Sequence, residues 1–430
     1  TIIFFPVVAF FFLIPCALIS AELATGWPKS GGVYIWVREA LGDRWGFFAI
    51  WMQWIHNVAW YPVILSFVAG TLAYLISPSL FHNKFFILSV ILLGFWGMTF
   101  FNYFGIKTSS WFSTIGVIAG TITPGILIIS LGVIWILGGR PTQMELSWDA
   151  LIPEFKDISG LVFLAGLFLA FAGLEVSAGY ASDVKNPRKN YPIAIVLAAI
   201  ITFSLFMLGS LSIGAVIPKA DISFVSGLMD ACAIFFQYYQ LTWILPILAF
   251  LLVIGAIAEV NSWLIGPVKG LYTTSTHGNL PLFFQKVNKR NVPTRLLLFQ
   301  AIIVSMAGFI FLYMPNVSSA FWILTALSAQ SYLIMYILMF VSAIILRYSK
   351  PHVPRAYKIP FKNKGIWLFS SLGILTSLFV IALAFVPPAQ LNTGNPWVYC
   401  TFLLSGLIFM CGIPFLIYAC RKPNWIQKKH

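Results

Sequence analysis

Charge is scarce in this chain: of 430 residues only 9% are charged and only 12 are acidic, against a hydrophobic fraction of 60% and a mean hydropathy of +0.91. A soluble domain of this length needs far more charge on its surface, so the solvent is lipid. The five cysteines, Cys16, Cys232, Cys400, Cys411 and Cys420, lie in or beside apolar stretches, show no CxxC pairing and leave an odd count. That excludes a disulfide framework and a zinc site, and leaves them as packing residues. Five histidines and so few acids form no metal-ligand or nucleophile-base spacing, so no metal, no cofactor and no membrane enzyme is expected. A net charge of +14 raises nucleic acid as a partner. The basic residues are instead dispersed over short loops with no aromatic-interleaved patch, so they report orientation and contact with anionic membrane lipid, and nucleic acid is excluded. Extramembrane segments stay under about 25 residues, too short for an appended domain.

Apolar runs of the ~20 residues that a crossing helix needs occupy 1–25, 45–76, 85–105, 112–138, 159–182, 193–217, 241–266, 296–313, 318–346, 366–386 and 397–420, eleven in all. Of the 26 Lys and Arg, all but Lys84, Arg140, Lys156 and Lys219 fall in alternate gaps, which the positive-inside rule makes cytoplasmic. Thr1 then begins outside, already in an apolar run, and the expectation is that one inward-to-outward span precedes it, giving twelve spans with both ends cytoplasmic. Residues 26–44 hold an amphipathic Val33–Leu41 run, a short helix at or dipping into the cytoplasmic face. Residues 218–240 are long enough for a partly inserted outer lid. Pro28, Pro187 and Pro267 read as helix or loop boundaries.

Only Glu22, Glu175 and Glu259 among the acids fall within or at the end of the spans. A carboxylate at bilayer depth costs about 2.5 to 3.5 kcal/mol on insertion scales, so each needs a partner or a pathway. Glu22 is close to the interface and reads as architectural, within reach of Arg38 or Arg44. Glu175 lies mid-span in Phe171-Ala-Gly-Leu-Glu-Val-Ser-Ala-Gly179, where Gly173 suits a discontinuous helix whose free backbone groups line a cavity. Its carboxylate can read an ammonium, gate the route or carry a proton. Glu259 shares a helix face with Trp263, four residues on; it is either an interior carboxylate bonded to a neighbouring helix or a ligand contact. Tyr332 and Tyr336 share another face, beside Ser328 and Ser331, and their phenols need partners across a helix interface or in an aqueous site. Trp54, His56, Asn57, Trp60 and Tyr61 form a polar-aromatic cluster in which His56 is either packed or a proton carrier.

At these residues the chain resembles the amino acid–polyamine–organocation transporter superfamily. Glu22-Leu-Ala-Thr, Pro28-Lys-Ser-Gly-Gly-Val-Tyr-Ile-Trp-Val-Arg38 and Leu41-Gly-Asp-Arg-Trp-Gly46 are similar to its signature after the second helix. Gly173-Leu-Glu-Val-Ser-Ala178, Asn186-Pro187, Tyr191-Pro192, Ala258-Glu-Val-Asn-Ser-Trp-Leu-Ile-Gly-Pro267 and Gly270-Leu-Tyr272 resemble the glutamate:γ-aminobutyrate antiporter branch. The resemblance implies an all-α polytopic LeuT-like fold of two inverted five-helix repeats plus two helices, with the discontinuous first helix absent from these residues. Over 1–430, residues 1–138 are then the rest of the first repeat, 159–346 the second and 366–420 the two extra helices.

The resemblance also implies substrate-pocket and gating roles for Gly173, Glu175, Trp263, Tyr332 and Tyr336, with Glu259, Trp54, His56, Trp60 and Tyr61 as further candidates. It implies alternating-access exchange of small amino acids across the bacterial inner membrane, with a cytoplasmic C-terminus and no enzymatic step. A proton- or sodium-coupled symporter on the same fold and a non-transporting receptor remain the alternatives. The branch's acid-released C-terminal plug has no room in the residues after 420, which leaves acid gating by that route open.

Overall fold

A computed structural model describes residues 2–29, 31–103, 106–144, 161–177, 184–218, 223, 225–389, 391 and 393–426. The described residues are predominantly helical, with no β-strand among them. Ten helices are long and apolar enough to cross a membrane. In chain order the helices are α1 (Ile14–Gly26, which continues the apolar segment from Phe4), α2 (Val33–Leu41), α3 (Asp43–Ile76), α4 (Lys84–Tyr103), α5 (Ile106–Val117), α6 (Thr123–Leu137), α7 (Leu164–Phe171), α8 (Pro187–Val216), α9 (Gly227–Tyr238), α10 (Leu245–Thr276), α11 (Thr294–Gly308), α12 (Val317–Ser349), α13 (Lys362–Leu383) and α14 (Pro396–Ala419). The fifth expected span, 159–182, is described only over 161–177, where it is the short α7 followed by a break. The expected outer lid contains α9, and the expected short helix after α1 is α2.

Burial sorts these helices. α3 is at the centre, packed against both α10 and α12, and each of the three has one or more faces closed by protein. α8 and α14 are the most open, and their Ile, Leu, Val and Phe side chains face outward as lipid-facing residues do. A satellite apolar cluster under α9 joins Trp135, Phe235, Phe236 and Leu252.

The basic loops meet at one end of the bundle. Lys350 pairs with Glu39 of α2, Arg421 approaches Asp43 at 3.4 Å, and Gln285 Nε2 donates to the Trp425 carbonyl at 2.6 Å. At the opposite end Lys84 Nζ donates to the Met314 carbonyl at 2.6 Å. Asn316 caps α12, its side chain accepting from the Ser319 N–H at 2.7 Å.

Two local features depart from the expected pattern. Pro267 is not a boundary: α10 runs through it to Thr276. Proline has no N–H to give the carbonyl four residues back, but buried Leu264, Ile265, Val268 and Leu271 hold the helix in register on both sides of it. Between α5 and α6 the chain makes a π-helical turn, Ile118–Ile122. Gly120 of that turn lies backbone to backbone against Gly255 of α10, and a Cβ on either would collide with the other chain segment.

Candidate functional site

The site is built on a helix that stops. α7 ends at Phe171, Ala172 is extended, Gly173 takes φ +115°, and a 3-10 turn follows over residues 174–177. Only glycine tolerates that backbone angle. The space above it is also taken, since a Cβ on Gly173 would lie 2.7 Å from Trp263 Cζ2. The backbone N–H of Gly173, freed by the break, donates to the Tyr336 hydroxyl at 2.7 Å. A cavity of about 500 Å³ opens beside the break, between Gly173, Leu174 and Ser177 on one side and Tyr191 and Ala194 of α8 on the other.

Glu175 is 1% exposed and both of its oxygens are hydrogen-bonded. Oε1 accepts from Gln53 Nε2 of α3 at 3.0 Å and from the Tyr332 hydroxyl of α12, and Oε2 accepts from the Tyr336 hydroxyl. Three donors on two helices therefore hold one carboxylate at the break. Hydrogen bonds to a charged acceptor in a low-dielectric interior are the strong kind, which is how a buried carboxylate is tolerated here.

One face of α3 completes the enclosure, because Gln53, His56, Asn57 and Trp60 recur at helical spacing. The His56 ring stacks on Tyr332 with centroids 3.7 Å apart and planes 8° from parallel. Trp263 meets His56 edge-on at 5.8 Å, and Trp60 lies 6.0 Å from Trp263. Asn57 Nδ2 donates to His56 Nε2 at 3.0 Å, so the ring proton belongs on Nδ1, facing Ser328 Oγ at 3.4 Å. A second proton, on Nε2, would meet the Asn57 amide donor. The arrangement offers a carboxylate, three aromatic faces and unwound backbone around one point, a combination that recognises an amine by charge and cation–π attraction.

A broken helix carrying a buried carboxylate inside a polytopic bundle is where the chain can be placed. The family model for amino acid permeases matches residues 1–408. The chain belongs to the amino acid permease family. An uncharacterised transporter of Legionella pneumophila is 44% identical over 407 residues, covering 94% of this permease and 87% of the relative. A glutamate/γ-aminobutyrate antiporter of Lactococcus lactis is 31% identical over 411 residues, covering 94% and 82%. A probable agmatine/putrescine antiporter of the same species is 25% identical over 413 residues, covering 93% and 84%. These relatives are transporters rather than enzymes, and this permease is a multi-pass membrane transporter.

Of the candidate residues in this permease, Gly173, Glu175, Trp263, Tyr332, Tyr336, His56 and Trp60 come together. Trp54 and Tyr61 do not join them. Seven residues apart, they share the other side of α3: Trp54 Nε1 donates to Gln300 Oε1 at 2.5 Å, and the Tyr61 ring packs on Phe95 at 4.7 Å. Glu259 is half-buried one turn from Trp263 and makes no hydrogen bond with any described residue. Gln53 is a site residue that the sequence does not single out; its only signal is its place on the face of His56 and Asn57, which a neutral amide does not advertise. Ala178 of the family motif lies outside the described residues.

Glu22 has different partners from those expected. Its Oε2 takes Arg347 and the Ile359 N–H, the latter at 2.9 Å, and its Oε1 lies 3.4 Å from Arg355 Nε. Arg38 is engaged elsewhere, with Asp43 at 3.3 Å. The carboxylate thus pins the end of α1 to the loop between α12 and α13, hundreds of residues away in sequence. Nearby, Lys350 holds the Glu39 carboxyl below the usual carboxylate range.

Proposed function

We propose that this permease is a secondary transporter that exchanges small amino acids across the bacterial cell membrane, glutamate against γ-aminobutyrate, by alternating access. The observation that carries the proposal is Glu175, a buried carboxylate at a helix break roofed by Trp263 and tied to Tyr332, Tyr336 and Gln53. The names of the Lactococcus lactis antiporters support the substrate pair. An incoming ammonium replaces neutral donors on Glu175, while the free backbone groups of the break meet the substrate carboxylate.

The same bonds give a reason for obligatory exchange. With no substrate, Glu175 ties the break to α3 and α12, so reorientation of the empty carrier has to part those bonds, whereas a bound substrate takes them over. In this reading Gly173, Glu175, Trp263, Tyr332 and Tyr336 bind and gate, Glu259 lines the route, and the basic end of the bundle, with the C-terminus, is cytoplasmic. Residues 1–138 and 159–346 belong to two inverted repeats, and 366–420 supply two further helices.

The test is uptake of labelled glutamate by the intact protein in liposomes loaded with γ-aminobutyrate, with other amino acids, or with buffer. Uptake that requires γ-aminobutyrate or glutamate inside is the expected result. Equal uptake into buffer-filled vesicles under a proton or sodium gradient would overturn exchange in favour of a symporter, and exchange of agmatine or putrescine alone would overturn the substrate pair.

A further inference from the structure

One groove on the outside of the bundle does not belong to the transport site. It is a shallow, open groove of about 550 Å³ at the basic end, between the last turn of α12 and one face of α13. Its composition changes along its length. At the mouth are Tyr348 and Lys364, with Trp367 beside them, and beyond them the wall is Leu368, Leu372 and Leu375. These α13 residues fall at helical spacing on one face. Trp367 Nε1 donates to the Tyr348 hydroxyl at 3.0 Å, so the hydroxyl's own proton stays available, and Lys364 makes no ion pair with any described residue.

Two physical facts limit what can lie there. Lys364 is exposed, Lys362 is exposed one residue before Asn363, and no acid lines the groove, so the mouth is an uncompensated positive site. Tyr348 and Trp367 are the residue types that mark the headgroup level, where one edge of a ring is wet and the rest is apolar. From Lys364 to Leu375 the helix rises about 16 Å. That matches the roughly 15 Å depth of one leaflet's hydrocarbon. A strip of that length, charged at the headgroup level and apolar below it, has the dimensions of one lipid molecule standing upright.

We propose that this groove is a binding site for an anionic glycerophospholipid. Its phosphate is held by Lys364 and the Tyr348 hydroxyl, and one acyl chain lies along Leu368, Leu372 and Leu375 against the edge of Trp367.

The experiment is native mass spectrometry of the purified intact protein, delipidated and then titrated with dioleoyl phosphatidylglycerol or dioleoyl phosphatidylcholine. The variants are Lys364→Ala, Leu372→Trp and, as a control lysine elsewhere at the basic end, Lys289→Ala. The wild type should retain phosphatidylglycerol in preference to phosphatidylcholine. Lys364→Ala should lower that preference about fivefold, the worth of one lysine at a membrane surface. Leu372→Trp fills the groove and should remove the tightest adduct of either lipid, while Lys289→Ala should change nothing. Equal loss in Lys364→Ala and Lys289→Ala, no preference in the wild type, or retention of the tightest adduct in Leu372→Trp would each overturn the site. All three substituted positions are outside the transport site, so unchanged thermal unfolding midpoints separate lost lipid binding from lost folding.

Discussion

Tyr332 and Tyr336 both donate to Glu175, yet their hydroxyls do different amounts of work, and phenylalanine at each position separates the two. Removing the Tyr332 hydroxyl takes one donor from Oε1, which keeps Gln53 at 3.0 Å, and leaves the stack on His56 intact. A charge-assisted bond is worth about 1.5 to 3 kcal/mol in general, but bonds between membrane helices measure about 0.6 to 1.7, so Tyr332→Phe should cost about 1 to 1.5 kcal/mol. Tyr336 is the sole side-chain donor to Oε2 among the described residues and also accepts the Gly173 N–H at 2.7 Å. Its loss therefore also takes the acceptor from the half-buried Gly173 N–H, which adds up to about 1 kcal/mol, the net worth of one such bond. Tyr336→Phe should lower the thermal unfolding midpoint in detergent more than Tyr332→Phe does. In liposomes it should also raise uptake into buffer-filled vesicles relative to substrate-filled ones, because the empty carrier has lost its tie at the break. If Tyr332→Phe equals or exceeds Tyr336→Phe in both assays, the reasoning from hydrogen-bond geometry fails.

Gly173→Ala combines a strained backbone, of order 1 to 3 kcal/mol, with the collision against Trp263 at 2.7 Å. In a double-mutant cycle, Trp263→Leu should recover the collision but not the backbone strain, so a cycle showing no coupling refutes the contact. Glu22→Gln leaves Arg347 and buried Arg355 without their counter-charge and should cost about 3 to 5 kcal/mol, whereas Glu39→Gln breaks a more exposed pair and should cost at most about 1 kcal/mol; thermal unfolding of the two variants side by side reads the difference. Because the folded Glu39 carboxyl is below the usual range, its contribution is present above the ordinary carboxylate pKa and is lost as pH falls through the lowered folded value. The stability gap between wild type and Glu39→Gln should accordingly close in acid, and a gap that widens there would be contrary to the Lys350 pairing.

Apolar runs locate the spans because a bilayer imposes length and composition on any helix that crosses it. The break in α7 is legible for a related reason: a glycine beside a mid-span carboxylate is expensive in an unbroken helix, and Gly173 and Glu175 announce it together. Trp54 and Tyr61 read as part of the same cluster as His56 because they are close in sequence. Their place seven residues apart puts them on the face toward Gln300 and Phe95 instead. Gln53 carries no charge and so gives no signal in a span. Glu22 points to the arginines near it in sequence because nothing in a linear chain brings Arg347 and Arg355 back to the end of α1. Pro267 misleads through its type, since proline ends helices in water more readily than in a helix clamped by neighbours.

The π-helical turn at Ile118–Ile122 works as a phase shifter. One added residue in the turn rotates the downstream helix by about 100° relative to an unbroken α-helix. α5 turns its small residues to α10, and beyond the turn α6 turns its face to α8. A single transmembrane segment thereby addresses two neighbours that no straight heptad-like stripe reaches at once. Its register, and not only its hydrophobicity, is therefore under constraint: winding the turn back to plain α-helix with every residue kept would swing α6 away from α8, whereas deleting the one extra residue would close the bulge and leave α6 facing it.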